Sequence, residues 1–222
     1  LGIFFTYYSK SRLREVISGA LSFALGVMSL IRLKELIPIS INYFFSNLKI
    51  NRALLIVIMI PILVMVFVHF FKAKFKDNNH LYTVGILSMA SLLLHNLPEG
   101  IIVFTSSLAN KKLGLKIALS IAAHNLPEGI CIAVPIYYST SNRKKALLYT
   151  FLSGVAEPFG AIITWLFLKP FISILFLNIM LYLVGILMIT ISFLEILPEA
   201  VSYQRRWHIL IGLLLSLFIL FL

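Results

Sequence analysis

Apolar residues fill this chain in long blocks, and short clusters of lysine and arginine separate the blocks. A helix that crosses a bilayer needs about 20 mostly apolar residues. By that measure the pattern predicts seven spans, at roughly 15–38, 53–71, 82–108, 113–138, 146–169, 171–200 and 207–222. Residues 1–8, LGIFFTYY, read as the tail of an earlier span. The expectation is an all-α, polytopic transmembrane helix bundle of eight spans, the first largely missing, forming a single transmembrane domain over 1–222.

The basic clusters orient the bundle. Lys10, Arg12 and Arg14, then Lys72, Lys74 and Lys76, then Arg143, Lys144 and Lys145, then Arg205 and Arg206 fall on one side. Lys49 and Arg52, then Lys111, Lys112 and Lys116, then Lys169 fall on the other. The positive-inside bias places the larger set in the cytoplasm and both termini outside. Composition agrees with a membrane location: 60% of the 222 residues are hydrophobic and the mean hydropathy is +1.01. A soluble domain needs more polar cover than that. The net charge of +11 belongs largely to the loops. No basic stripe interleaves with aromatics on a soluble face, so nucleic acid is not an expected partner. The single cysteine, Cys131, excludes an intrachain disulfide.

Chemistry enters where polar groups interrupt the apolar blocks. The hexapeptide HNLPEG occurs at 95–100 and again at 124–129. Each copy places an imidazole, an amide and a carboxylate within a predicted span: His95, Asn96 and Glu99, then His124, Asn125 and Glu128. A charge at the bilayer centre costs roughly 2.5–3.5 kcal/mol on insertion scales, so such residues are ordinarily retained for function. Counting from the span ends puts His95, the His124–Glu128 group and Glu157 near one level, the midplane, where transporter sites commonly lie. Residues i and i+4 share a helix face, so His95 and Glu99 point together, as do His124 and Glu128. The proline in each copy cannot donate a backbone hydrogen bond and frees a carbonyl near the histidine. Imidazole, carboxylate and amide oxygen together suit borderline divalent ions such as Zn²⁺, Fe²⁺, Mn²⁺ or Co²⁺. The bland alternative is a pair of proline-kinked helices whose His and Glu merely hydrogen-bond to each other.

At these residues the chain resembles the ZIP (Zrt/Irt-like) family of divalent-metal transporters, most closely its GufA-type branch. The two hexapeptides match the motifs of that family's fourth and fifth spans. SGVAEPFGA at 153–161 is similar to its sixth, LVGILMITISFLEILPEA at 183–200 to its seventh and ALGVMSLIRLKELIP at 24–38 to its second. The resemblance implies an eight-span fold and a two-metal centre. Met28, His95, Glu99, His124 and Glu128 would form a primary site; Asn96, Asn125 and Glu157 would complete a neighbouring one that shares Glu99 and Glu128. It further implies carriage of a divalent metal, Zn²⁺ first, into the cytoplasm by alternating access. The metal is cargo, and no catalytic cofactor is expected. The expected setting is the cell membrane, with the lipid bilayer as partner and a homodimer as a compatible assembly. The rival classes are an intramembrane metal-dependent hydrolase using the same ligands, although no HExxH motif is present, and a structural protein with a fixed metal staple.

Two further features depart from the repeat. Arg32 and Lys34 lie in the first complete span, where the family usually carries small or apolar residues. Counted from the end of that span, they are expected to snorkel to the outer interface; the sharper expectation pairs Arg32 with Glu35 at i+3 as a gate. ELIP at 35–38 and EILP at 195–198 share the spacing Glu-x-x-Pro in oppositely directed spans, which suggests an inverted repeat. His80 is expected to be a solvated loop residue, Glu199 a helix-end carboxylate, and Cys131 a small buried packer.

Overall fold

The computed structural model describes residues 13–74, 79–109, 111–168, 170 and 173–220. The stub at 1–8 therefore lies outside the described residues, as do Lys10, Arg12, Lys76 and Lys169 and the side chains of Glu35, Lys74, Lys116 and His124. Every regular element among the described residues is helical. In chain order these are α1 (Leu13–Ile31), α2 (Ile37–Asn47), α3 (Ile50–Lys74), α4 (His80–Ala109), α5 (Lys111–Thr140), α6 (Arg143–Ile163), α7 (Ile174–Ile191), α8 (Leu197–Ser202) and α9 (Arg206–Leu220).

Three π-helical segments interrupt or extend these helices: Arg32–Leu36 between α1 and α2, Thr164–Leu168 after α6, and Ser192–Ile196 between α7 and α8. Each is followed closely by a proline, Pro38, Pro170 or Pro198. A proline cannot close the i→i−4 bond and crowds the preceding turn, so the turn before it widens. Both Glu-x-x-Pro sequences have this construction, with Pro38 and Pro198 in the first turn of a new helix. The inverted pair read from the sequence thus has a shared backbone feature.

The widened turns do not end the spans. Arg14–Asn47 is one apolar helical run of 34 residues, so the first complete span reaches well past Pro38, where the apolar pattern had placed its end. Among the described residues, five runs are long and apolar enough to cross a membrane: Arg14–Asn47, Ile50–Phe70, His80–Leu108, Arg143–Phe167 and Ile174–Ser202. Helix α5, with 30 residues, continues through Pro127 and Pro135, and Arg206–Phe218 is a shorter apolar helix. These segments follow the seven predicted spans in order and form a polytopic membrane helix bundle.

Helices α4, α5 and α6 pack closely around one another, and α1 lies against both α5 and α9. On the other flank α7 packs on α2, α3 and α4. Large apolar side chains such as Leu55, Leu63 and Phe70 on α3, and Phe151, Phe159 and Trp165 along α6 and its extension, face outward. That is the inverse of a soluble surface and suits lipid. The polar groups are instead inside: His95, Asn96, Glu99, Glu128, Glu195 and Glu199 are all buried.

Candidate metal centre

The first hexapeptide lies on α4 where that helix meets α6 almost backbone to backbone. A methyl group at Gly100 would overlap the carbonyl of Glu157, and one at Gly160 would overlap the carbonyl of Leu97. Only glycine permits this approach, which brings the polar face of α4 against α6. Asn96 Nδ2 then donates to the Ser153 carbonyl at 2.9 Å. The second hexapeptide, on α5, reaches the same helix by a side chain: Asn125 Nδ2 donates to Glu157 Oε2 at 3.0 Å. Both asparagines thus reach α6, Asn96 at Ser153 and Asn125 at Glu157.

One cavity of about 140 Å³ opens between these helices, lined by Asn96, Asn125, Glu128, Thr150 and Ser153 among others. Four buried oxygens on its lining have no hydrogen-bond partner: Asn96 Oδ1, Asn125 Oδ1, Glu128 Oε2 and Ser153 Oγ. Leaving a polar group buried and unmatched costs about 1–3 kcal/mol, more when it is charged. Four such acceptors around one space fit an oxygen-coordinated cation.

Beside the cavity, the i,i+4 geometry holds as expected: His95 Nε2 lies 2.8 Å from Glu99 Oε1. His95 Nε2 is also 3.5 Å from Glu128 Oε1, which joins α4 to α5. What fills this corner is Arg32. Its Nη2 lies 2.5 Å from both Glu128 Oε1 and His95 Nε2 and 4.0 Å from Glu99 Oε1. Arg32 is fully buried, so the expected snorkelling to the outer interface is incorrect. The physical reason is the length of the helix. Residue 32 lies close to the middle of the Arg14–Asn47 run, and a side chain there cannot reach either interface. Lys34, two residues on, is exposed. Among the described residues, no three His, Cys, Asp or Glu side chains form a ready metal-holding group; the Arg32 guanidinium lies between His95 and Glu128.

Met28, one turn before Arg32, is buried and receives the Cys131 thiol at 3.4 Å from sulfur to sulfur. Cys131 is a buried packer, as expected, and its neighbour is the methionine of the implied primary site. The helix carrying His124 is described; its imidazole is not.

Two acidic pairs lie away from this centre. Lys72 Nζ donates to Glu195 Oε1 at 2.8 Å. Glu199 receives the Tyr203 hydroxyl at 2.8 Å and contacts His80 Nδ1 at 2.5 Å. His80 is exposed, as expected of a solvated residue, but it opens α4 and pairs with Glu199; Glu199 does lie near a helix end, yet it is buried. Burial of the Tyr203 phenol, with Glu199 beside it, pushes its pKa up. Ser153 was not singled out in the sequence; only its position four residues before Glu157 links it to the centre.

The fold and its interior together define a class: an integral helical membrane protein with imidazole, carboxylate and amide groups gathered inside the bundle. Residues 72–221 match the family model described as ZIP Zinc transporter, and the chain belongs to that family. Curated relatives named Zinc transporter ZupT, from Chlorobium luteolum, Chlorobium limicola and Clostridium perfringens, are 44%, 46% and 42% identical over 139, 142 and 149 residues. These matches cover 63%, 64% and 67% of this chain and 52%, 53% and 52% of the respective relatives. The chain thus spans about half the length of the curated relatives it matches.

Proposed function

We propose that this protein carries divalent metal cations, Zn²⁺ first among them, across the membrane into the cytoplasm. The observation that carries the reading is the cavity between α4, α5 and α6, on which Asn96 Oδ1, Asn125 Oδ1, Glu128 Oε2 and Ser153 Oγ have no partner. Membership of the ZIP family and the zinc-transporter names of its relatives support the same cargo. In this reading Met28, His95, Glu99, His124 and Glu128 serve a primary metal site. Asn96, Asn125 and Glu157 complete a second, with Glu99 and Glu128 shared between the two. Mixed nitrogen and oxygen ligands bind borderline ions firmly enough to select them and loosely enough to release them. The bundle alternates between outward and inward access around this centre, with both termini outside.

Uptake of zinc by proteoliposomes tests the assignment. Glu128→Gln removes a ligand charge while keeping an oxygen towards Arg32, and it is expected to abolish uptake with the bundle still folded. Uptake at the unaltered rate would overturn the proposal. A peptide or lipid cleavage product would favour the hydrolase class instead.

A further inference from the structure

We infer that Arg32 is a tethered cation that takes the primary metal position whenever metal is absent and competes with the metal for it. The inference rests on the proposed metal site. Three observations carry it. First, Arg32 Nη2 can only donate, so His95 Nε2 and Glu128 Oε1 both present lone pairs to it at 2.5 Å. Glu99 Oε1 stands further off, at 4.0 Å, within ion-pair reach but beyond hydrogen-bond distance. His95 Nε2 and Glu128 Oε1 stand 3.5 Å apart, close to the ~3.3 Å between neighbouring ligands of a tetrahedral zinc ion. The nitrogen therefore occupies the place that a metal held by His95 and Glu128 would take, and the same lone pairs cannot serve both cations.

Second, the guanidinium is only partly engaged. Arg32 Nε and Nη1 are buried with no hydrogen-bond partner. A permanent buried ion pair needs good geometry and further hydrogen bonds to offset its desolvation. Here one nitrogen makes all the contacts, so an incoming dication faces a weakly anchored rival. Third, Arg32 opens the π-helical segment Arg32–Leu36. Such widened turns frequently occur at functional sites, and this one lies where the side chain must withdraw. The consequence is a primary site whose carboxylates are never left uncompensated in the apolar interior, and whose metal affinity is set by exchange with Arg32.

Zinc titration calorimetry on the purified chain in detergent, comparing the unaltered protein with Arg32→Ser and Arg32→Lys, tests this. Arg32→Ser is expected to bind zinc more strongly, as about a tenfold or larger fall in Kd or as one added zinc per chain. Arg32→Lys keeps a tethered charge and is expected to stay close to the unaltered protein. Equal binding by all three chains would overturn the inference and leave the metal site standing. No zinc binding by any of them would overturn the site reading as well. Thermal unfolding supplies a second readout: Arg32→Ser is expected to be destabilised without zinc and restored by it. Failure of zinc to restore it would also overturn the inference, because a purely structural staple has no reason to be replaced by the metal.

Discussion

The two HNLPEG copies are identical in sequence and opposite in situation. In the first, His95, Asn96, Glu99 and Gly100 are all buried, and Gly100 is pressed against the backbone of α6. In the second, Asn125 is half-buried and Leu126 exposed, and a methyl at Gly129 would meet only the Thr150 methyl at 3.4 Å. The asparagines differ likewise: Asn96 holds a backbone carbonyl, whereas Asn125 holds the Glu157 carboxylate. The carboxylates differ in their hold on Arg32, at 2.5 Å for Glu128 and 4.0 Å for Glu99. A repeated motif thus divides its labour. The α4 copy makes the tighter backbone contact with α6, and the α5 copy holds the carboxylate nearer Arg32, while both copies line the cavity.

The largest test of that division is on the carboxylates. Glu128→Ala leaves the Arg32 guanidinium buried without its close partner and is expected to cost about 3–5 kcal/mol. Glu99→Ala is expected to cost clearly less. Thermal unfolding in detergent without metal measures both, and adding Arg32→Met to Glu128→Ala should recover most of the loss. Equal costs for the two alanine variants would contradict the asymmetry around Arg32.

The glycines come next. Gly100→Ala forces α4 away from α6 and is expected to destabilise by about 1–3 kcal/mol or more, as overpacking does. Gly129→Ala adds an ordinary contact and raises helix propensity, so its expected effect lies between neutral and about 1 kcal/mol of stabilisation. Melting temperatures of the pair decide, and a harmless Gly100→Ala would show that the α4–α6 contact is looser than described.

The smallest difference concerns the asparagines. Asn96→Ala strips a buried carbonyl of its donor and is expected to cost about 1 kcal/mol of stability. Asn125→Ala removes one donor from a half-buried Glu157, and its expected effect falls on zinc affinity more than on unfolding. Parallel unfolding and calorimetric titrations separate the two outcomes.

Much of this was legible before any coordinates. Block hydrophobicity located the helical segments, because a bilayer imposes a minimum length and punishes charge within it. Helical periodicity paired His95 with Glu99, and the family resemblance grouped Asn125 with Glu157. The Glu-x-x-Pro spacing announced a shared backbone construction. Arg32 was not legible in the same way. Depth counting depends on where a span ends, and Pro38 looked like an end although the helix widens and continues to Asn47. Ser153, the Lys72–Glu195 pair and the His80–Glu199 pair were equally hidden, since each depends on a partner distant in sequence.

The sequence by itself determined that this is a membrane helix bundle with polar groups inside its apolar helices, because hydrophobic length and the cost of buried charge act locally along each helix. The tertiary structure alone decided which copy of the motif presses its backbone on α6, which carboxylate lies nearer Arg32, and which cation neutralises the carboxylates. Those outcomes depend on contacts between helices, where a missing Cβ at Gly100 or a guanidinium arriving from α1 changes what an identical hexapeptide can do.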